Sequence, residues 1–181
     1  MTTKDLTDSE FLVLGLVAEM PRHGYEVEQV IEERGMREWT QIGFSSIYYV
    51  LGRLEQRGLV KADIPANATA KKSYEITARG KETLVDQTLA TLKSVQPTYP
   101  SLLLGMIHWS VLTREQALEA LETRKSAVAE EMERLESIHF EQQPLPDYVD
   151  AIFEFSMGQL QAEADWIDRT LAYMQTKPWN E

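Results

Sequence analysis

Between residues 58 and 77 the spacing of apolar residues changes from that of a helix to that of a strand. This change constrains the fold of the chain more than any other feature. Segments 59–64 and 72–76 are predicted to be short strands, and in the second of them apolar and polar side chains alternate. The stretch PANATA at 65–70 joins the two strands as a loop. On both sides of this region, apolar residues return at helical spacing instead. The pattern therefore predicts a small β-hairpin enclosed by helices.

Helix-start and helix-stop residues predict three short helices before the hairpin and one after it. Thr7 and Glu10 have the spacing of a capping box, which opens the first helix. Gly35 and Gly58 are the predicted C-caps of the second and third helices. Thr77 is placed to cap the fourth helix, which is expected to run to about residue 95.

Pro97 and Pro100 mark a boundary, beyond which two long helices are predicted at 114–139 and 148–175. Each carries an apolar seam at alternating spacings of three and four residues, as helices that pack side by side do. The seams can pair within one chain as an α-hairpin or across two chains, and for the last helix we expect a dimer interface. The predicted dimerisation residues are Leu121, Val128, Leu135, Phe153, Met157, Leu160, Ala164, Ile167, Leu171 and Met174.

The charge of the chain is unevenly distributed. Its 181 residues include 29 acidic and 18 basic side chains, and −9 of the net charge of −11 belongs to residues 81–181. The stretch 44–82 carries seven basic and four acidic residues instead. The acidic total excludes a protein that coats DNA indiscriminately. The local positive charge is compatible with a selective contact to phosphates.

Catalysis and metal binding have little support in the sequence. The chain has no cysteine, and its three histidines fall on three different predicted elements. It contains no HExxH motif, no glycine-rich phosphate loop and no GxSxG motif. We therefore predict no enzyme activity, no cofactor and no metal site. Because no secretory signal or membrane-spanning apolar run is recognisable, we expect a cytoplasmic protein.

The order of the helices and the hairpin predicts a DNA-binding surface. Two short helices joined by a turn form a helix-turn-helix, whose second helix enters the major groove by its N-terminal end. Hydroxyls and amides at a helix N-terminus suit phosphate oxygens, and tyrosine rings suit thymine methyl groups. Lysines at the exit of the hairpin can reach backbone phosphates. The candidate DNA-binding residues are Ser45, Ser46, Tyr48, Tyr49, Arg53, Lys71 and Lys72.

Four stretches within residues 6–90 resemble the PadR-type winged-helix transcriptional regulators. The resemblance implies a dimeric DNA-binding regulator with a C-terminal helical domain, similar to the larger subgroup that includes the virulence-gene activator of vibrios. It also implies DNA contacts at Ser46, Tyr48, Lys71 and Lys72, whereas Ser73 departs from the aromatic or basic residue that is frequent there. The matching stretches are LVLGLV at 12–17, HGYE at 23–26, SIYYVLGRLEQRGLV at 46–60 and KSYEITARG at 72–80.

These observations together predict a mainly α chain with a small β-hairpin. A winged helix-turn-helix DNA-binding domain is expected over 1–96, and an antiparallel long-helix dimerisation domain over 97–181. The predicted function is regulation of transcription by a homodimer that binds near-palindromic promoter DNA and acts as a repressor relieved by a small aromatic effector. The alternative is a protein-interaction module without enzyme activity, in which the winged helix docks proteins and the acidic helices form a scaffold. The candidate effector-binding residues are Trp39, Tyr99, Trp109 and Trp166.

Overall fold

The computed structural model describes residues 5–38, 40, 46–63, 72–95, 97 and 99–176. The chain forms two compact units, Met1–Pro97 and Thr98–Glu181. Both are mainly helical, and the described strands all belong to the first. In chain order the elements are α1 (Asp8–Glu19), β1 (Arg22–His23), α2 (Gly24–Glu33), a 3₁₀ turn (Met36–Glu38), α3 (Ser46–Gln56), β2 (Val60–Asp63), β3 (Ser73–Ile76), α4 (Ala78–Lys93), α5 (Ser101–Ile107), a second 3₁₀ turn (Trp109–Val111), α6 (Arg114–Glu141) and α7 (Asp147–Thr176).

Local sequence signals account for the ends of the helices in the first unit. The predicted capping box of α1 is confirmed, because the amide of Glu10 donates to the Thr7 hydroxyl while the amide of Thr7 donates to the Glu10 carboxylate. Gly35 follows α2 with φ 58°, and Gly58 follows α3 with φ 70°. Glycine adopts this left-handed conformation at no steric cost, which explains why both helices end there.

The sheet has three strands, one more than the hairpin that the sequence predicts. The hairpin is confirmed, with Val60 opposite Ile76 at its base and Asp63 opposite Ser73 beside the loop. The additional strand β1 pairs antiparallel with β3, so that β3 lies in the centre. Two residues are too few to show a period of their own. Strand β1 therefore depends on a long-range partner that the sequence pattern does not reveal.

One hydrophobic core holds the first unit together. It joins the inner faces of α1, α2 and α3 to the sheet, and α4 packs against it through the half-buried Leu84. Its largest side chains have almost no exposed surface, as burial against three helices requires. The core residues are Leu6, Val13, Leu14, Leu16, Val17, Val27, Ile31, Ile47, Val50, Leu51, Leu54, Leu59, Val60, Tyr74 and Ile76.

The second unit is built on an antiparallel hairpin of α6 and α7. At one end, the Arg114 guanidinium donates to the Met174 carbonyl at 2.5 Å. At the other end, His139 Nε2 lies 2.6 Å from Asp150 Oδ1, and this hydrogen bond lowers the pKa of Asp150. Of the two arrangements that the sequence leaves open, the structure of the single chain contains the pairing of α6 with α7. The buried contact residues are Ala117, Leu121, Val128, Ile167, Leu171 and Met174.

The predicted dimerisation residues fall into two groups in this hairpin. Leu121, Val128, Ile167, Leu171 and Met174 are buried between α6 and α7, so their side chains already have partners within the chain. A seam at this spacing requires a partner helix but does not specify from which chain it comes. The other five residues are half-buried and retain exposed apolar surface: Leu135, Phe153, Met157, Leu160 and Ala164.

Candidate nucleic-acid interface

Helix α3 presents two tyrosines on the face opposite the core. Ile47, Leu51 and Leu54 are completely buried, which fixes the rotation of the helix about its axis. Tyr48 and Tyr49 are consequently 60% and 66% exposed. Exposed aromatic rings on a short helix of a helix-turn-helix are able to contact base edges and phosphates in the major groove. The face assigned to Tyr49 from helical geometry agrees with its position here, and Tyr48 lies on the accessible side as well.

Gly24 provides the space that the Tyr48 ring occupies. A Cβ atom at Gly24, the first residue of α2, would lie 2.5 Å from Tyr48 Cε1. Any other residue at this position would displace the ring. The helical pattern of the sequence does not reveal this contact, because it joins residues 24 positions apart. Its signal in the sequence is the HGYE stretch that carries the family resemblance.

A buried carboxylate connects α3 to α1. Glu10 is 1% exposed, and the guanidinium of Arg57 donates to its Oε2 atom at 2.9 Å. The Nε atom of Arg53 lies 3.1 Å from Glu10 Oε1, and the Arg53 guanidinium is also 5.8 Å from the centre of the Tyr49 ring. Arg53 was predicted to be a DNA contact on the exposed face. In the structure its charge is engaged by Glu10, so its DNA contact remains a prediction.

A second ion-pair cluster holds the segment that precedes α3. The Arg37 guanidinium in the 3₁₀ turn bonds the carboxylates of Glu28 and Glu32 on α2. Glu28 is 7% exposed, and a buried carboxylate of this kind requires a cationic partner. These contacts hold the 3₁₀ turn against α2 in the segment that precedes α3.

Lys72 forms an ion pair with α3 at the entrance of strand β3. Its Nζ atom lies 2.7 Å from Glu55 Oε2 and 5.2 Å from the centre of the Tyr74 ring. The hydrogen bond to Glu55 raises the pKa of Lys72, so the lysine is fully charged at neutral pH. On the same hairpin, Lys61 pairs with Glu75 at 2.8 Å. Lys72, which was predicted to bind phosphate, is therefore held by the Glu55 carboxylate of the same chain.

Several predicted contact residues cannot be placed. Ser45, Lys71 and Trp39 lie outside the described residues. Ser46 is the first residue of α3, but its side chain lies outside them too. For these positions the DNA-binding and effector-binding roles stay predictions.

The second unit contains an aromatic groove between the turn after α5 and helix α7. Two of the predicted effector residues, Trp109 and Trp166, line it together. Tyr99 is 82% exposed and is not among the lining residues. The groove thus combines flat apolar walls with one cation and two hydroxyl groups. Its other lining residues are Met106, Arg169, Thr170 and Tyr173.

Two further features are absent from the described part of the chain: a metal-binding cluster and a membrane-spanning helix. Within residues 5–176, apart from the gaps given above, no three acidic or histidine side chains cluster closely enough to hold a metal ion. Among the described helices, none combines the length and the apolar character that crossing a bilayer needs.

The first unit is a winged helix-turn-helix domain: α2 and α3 form the helix pair, and β2 and β3 form the wing. Residues 13–86 match the Transcriptional regulator PadR-like family. The chain thus carries a PadR-like domain over these residues, as the resemblance in the sequence predicted.

Comparison with known proteins extends the likeness to both units. Bacillus subtilis PadR in complex with operator DNA has 20% identity and a TM-score of 0.72, over 91% of this chain and 98% of that chain. The same protein in complex with p-coumaric acid has 19% identity and a TM-score of 0.72, over 97% and 100%. The PadR-like regulator BC1756 from Bacillus cereus has 17% identity and a TM-score of 0.66, over 94% and 100%. At these identities the likeness establishes the fold.

One curated relative matches part of the sequence. Protein X of Lysinibacillus sphaericus, which is uncharacterized, is 34% identical over 73 residues. The match covers 39% of this chain and 65% of that protein. The chain thus spans less than two thirds of that protein's length.

Proposed function

We propose that this regulator binds near-palindromic promoter DNA as a homodimer in the cytoplasm and represses transcription until a small aromatic effector releases it. The observation that carries the proposal is the exposed pair Tyr48 and Tyr49 on a helix whose opposite face is fixed in the core. The Bacillus subtilis PadR structure with operator DNA supports the same use of the fold. No catalytic role is part of this proposal.

The second unit supports the homodimer. On α7 the seam residues Phe153 and Met157 are half-buried, and Tyr148 and Phe155, on a different face of the helix, are 67% and 68% exposed. Apolar surface of this kind is commonly covered by a second protein surface. A two-fold axis would place two copies of α3 about one DNA turn apart, which requires a near-palindromic site.

The DNA-binding part of the proposal predicts a selective loss in the double variant Tyr48→Ala/Tyr49→Ala. Affinity for a duplex selected from a random pool should fall about tenfold or more, because lost base contacts cost about 1–3 kcal/mol each. Binding to a random duplex should change little, since that binding is mainly electrostatic. Fluorescence anisotropy with both duplexes measures the two affinities.

Two comparisons make this experiment decisive. The variant Lys71→Glu/Lys72→Glu should weaken binding to both duplexes and reduce the salt dependence. If the wild type binds neither duplex in a salt-dependent manner, the DNA-binding function is wrong. In that case the protein-interaction alternative gains support. Circular dichroism of each variant establishes that it is folded.

The effector part of the proposal rests on the aromatic groove of the second unit. Trp109 and Trp166 supply flat walls for an aromatic ring, and the Arg169 guanidinium can bind a carboxylate. Bacillus subtilis PadR has been solved with p-coumaric acid, which has both groups. We therefore take p-coumaric acid as the first compound to test.

We expect p-coumaric acid to quench tryptophan fluorescence and to release the selected duplex. Arg169→Gln should weaken this response about tenfold, because a charge-assisted hydrogen bond is worth about 1.5–3 kcal/mol. Arg134→Gln, which removes an arginine elsewhere in the second unit, serves as the control. An unchanged response in Arg169→Gln would exclude this groove as the site, and no response in the wild type would exclude this effector.

A further inference from the structure

The basic residues of the DNA-binding region are compensated by carboxylates of the same chain. In the described stretches 46–63 and 72–76, every lysine and arginine has a carboxylate oxygen within 3.1 Å. Four of the seven basic residues counted over 44–82 are therefore engaged by carboxylates and are not free at the surface. A DNA phosphate that approaches this region has to compete with glutamates that are already in place. The four pairs are Arg53–Glu10, Arg57–Glu10, Lys61–Glu75 and Lys72–Glu55.

The pair between Lys72 and Glu55 is the one best placed for exchange with DNA. Glu55 lies in the last turn of the DNA-facing helix α3, and Lys72 directly precedes β3 at the loop end of the wing. The Lys72 side chain is 44% exposed and that of Glu55 is 36% exposed, so a phosphate can reach the ammonium group. The two pairs made by Glu10 are less accessible to DNA, because that carboxylate is buried where α1 contacts α3. Tyr74, whose ring lies beneath Lys72 Nζ, keeps the lysine near this position.

The energetic effect of such an exchange follows from counterion release. A lysine that neutralises one phosphate of duplex DNA releases about 0.9 of a condensed cation, which favours binding at low salt. If the same lysine must first leave a carboxylate, that carboxylate is left unpaired beside the DNA and repels its phosphates. The lysine and the carboxylate together add no net positive charge, so the contact contributes little affinity and little salt dependence.

We propose that Glu55 is a negative determinant of DNA affinity, which competes with DNA phosphate for Lys72. The inference rests on the proposed DNA-binding function and adds a residue that limits it. Because a phosphate contact carries no base information, Glu55 lowers affinity for all sequences by a similar factor. Random DNA then stays weakly bound, and only a site with good base contacts in both halves is occupied.

The test compares the wild type with Glu55→Gln on a random duplex and on a duplex selected from a random pool. Glu55→Gln should bind both duplexes several-fold more tightly at low salt. The slope of log affinity against log salt should steepen by about 0.9 for each subunit that engages the DNA. In the double variant Glu55→Gln/Lys72→Gln this gain should disappear, because the freed lysine is its source.

Two controls separate this effect from net charge and from the proposed function. Asp168→Asn breaks the ion pair of Lys125 in the second unit and changes the net charge by the same amount, so it should leave the slope unchanged. If the wild type binds in a salt-dependent manner and Glu55→Gln has the same slope, the inference about Glu55 is overturned while the DNA-binding function stands. If none of the proteins binds either duplex, both are overturned. Lys72→Gln in the wild-type background gives an independent test, since it should reduce the slope by much less than it does in Glu55→Gln.

Discussion

Gly80→Ala is expected to lower the free energy of unfolding of the first unit by about 3 kcal/mol or more. A Cβ atom at Gly80 would lie 2.0 Å from the Leu59 carbonyl oxygen and 2.8 Å from a side-chain carbon of Ile76. The carbonyl cannot simply move away, because it accepts hydrogen bonds from both the amide and the hydroxyl of Thr77. Either α4 shifts off the hairpin or these bonds break. Urea unfolding followed by circular dichroism measures the loss.

Gly15→Ala is the matched control for this prediction. Gly15 lies within α1 and has no atom within 4 Å of an added Cβ, so the same methyl group enters open space. Alanine in a helix interior is favoured over glycine by about 1 kcal/mol, and this variant should therefore be as stable as the wild type or more stable. Hydrogen exchange of the β2 and β3 amides identifies the unit that unfolds. Equal stability of the two variants would contradict the steric argument.

The contrast between Thr77 and Gly80 shows which parts of the fold can be predicted from the sequence. Thr77 caps α4 by accepting from the amide of Gly80, three residues away, and this local contact has a recognisable spacing. The need for glycine at position 80 comes from Leu59, which is distant in sequence. Strand β1 was missed for the same reason, since the strand with which it pairs, β3, lies about fifty residues further along the chain.

In the candidate site too, contacts within one element could be predicted from the sequence, whereas contacts between elements could not. Helical geometry correctly placed Tyr49 opposite the core, because the rotation of a helix follows from its own apolar residues. It could not reveal that Arg53 and Lys72 are held by Glu10 and Glu55, since these carboxylates come from other elements. Charge counts describe a region, whereas the free charge at its surface depends on such pairs.

The second large effect is expected at Glu10, whose loss should weaken both the fold and the selectivity for DNA. Glu10→Gln should lower the free energy of unfolding by about 2 kcal/mol, because a buried hydrogen-bonded charge pair is broken while the two arginines remain partly accessible to water. The glutamine can still accept the amide hydrogen bond of Thr7. The cost therefore reports mainly the contact between α1 and α3. Thermal and urea unfolding measure it.

Glu26→Gln is the control that isolates the contribution of Arg53 and Arg57 to the effect of Glu10→Gln. Glu26 has the same position in its helix as Glu10, and it accepts the amide hydrogen bond of His23 at 2.6 Å, but it is exposed. Its substitution should cost about 0.5 kcal/mol or less, as surface changes usually do. In Glu10→Gln, helix α3 loses its ion pair with α1, and Arg53 and Arg57 both lose Glu10 as a charged partner. The ratio of affinities for the selected and random duplexes should therefore fall in Glu10→Gln and stay constant in Glu26→Gln. Equal ratios in the two variants would show that Glu10 does not position α3.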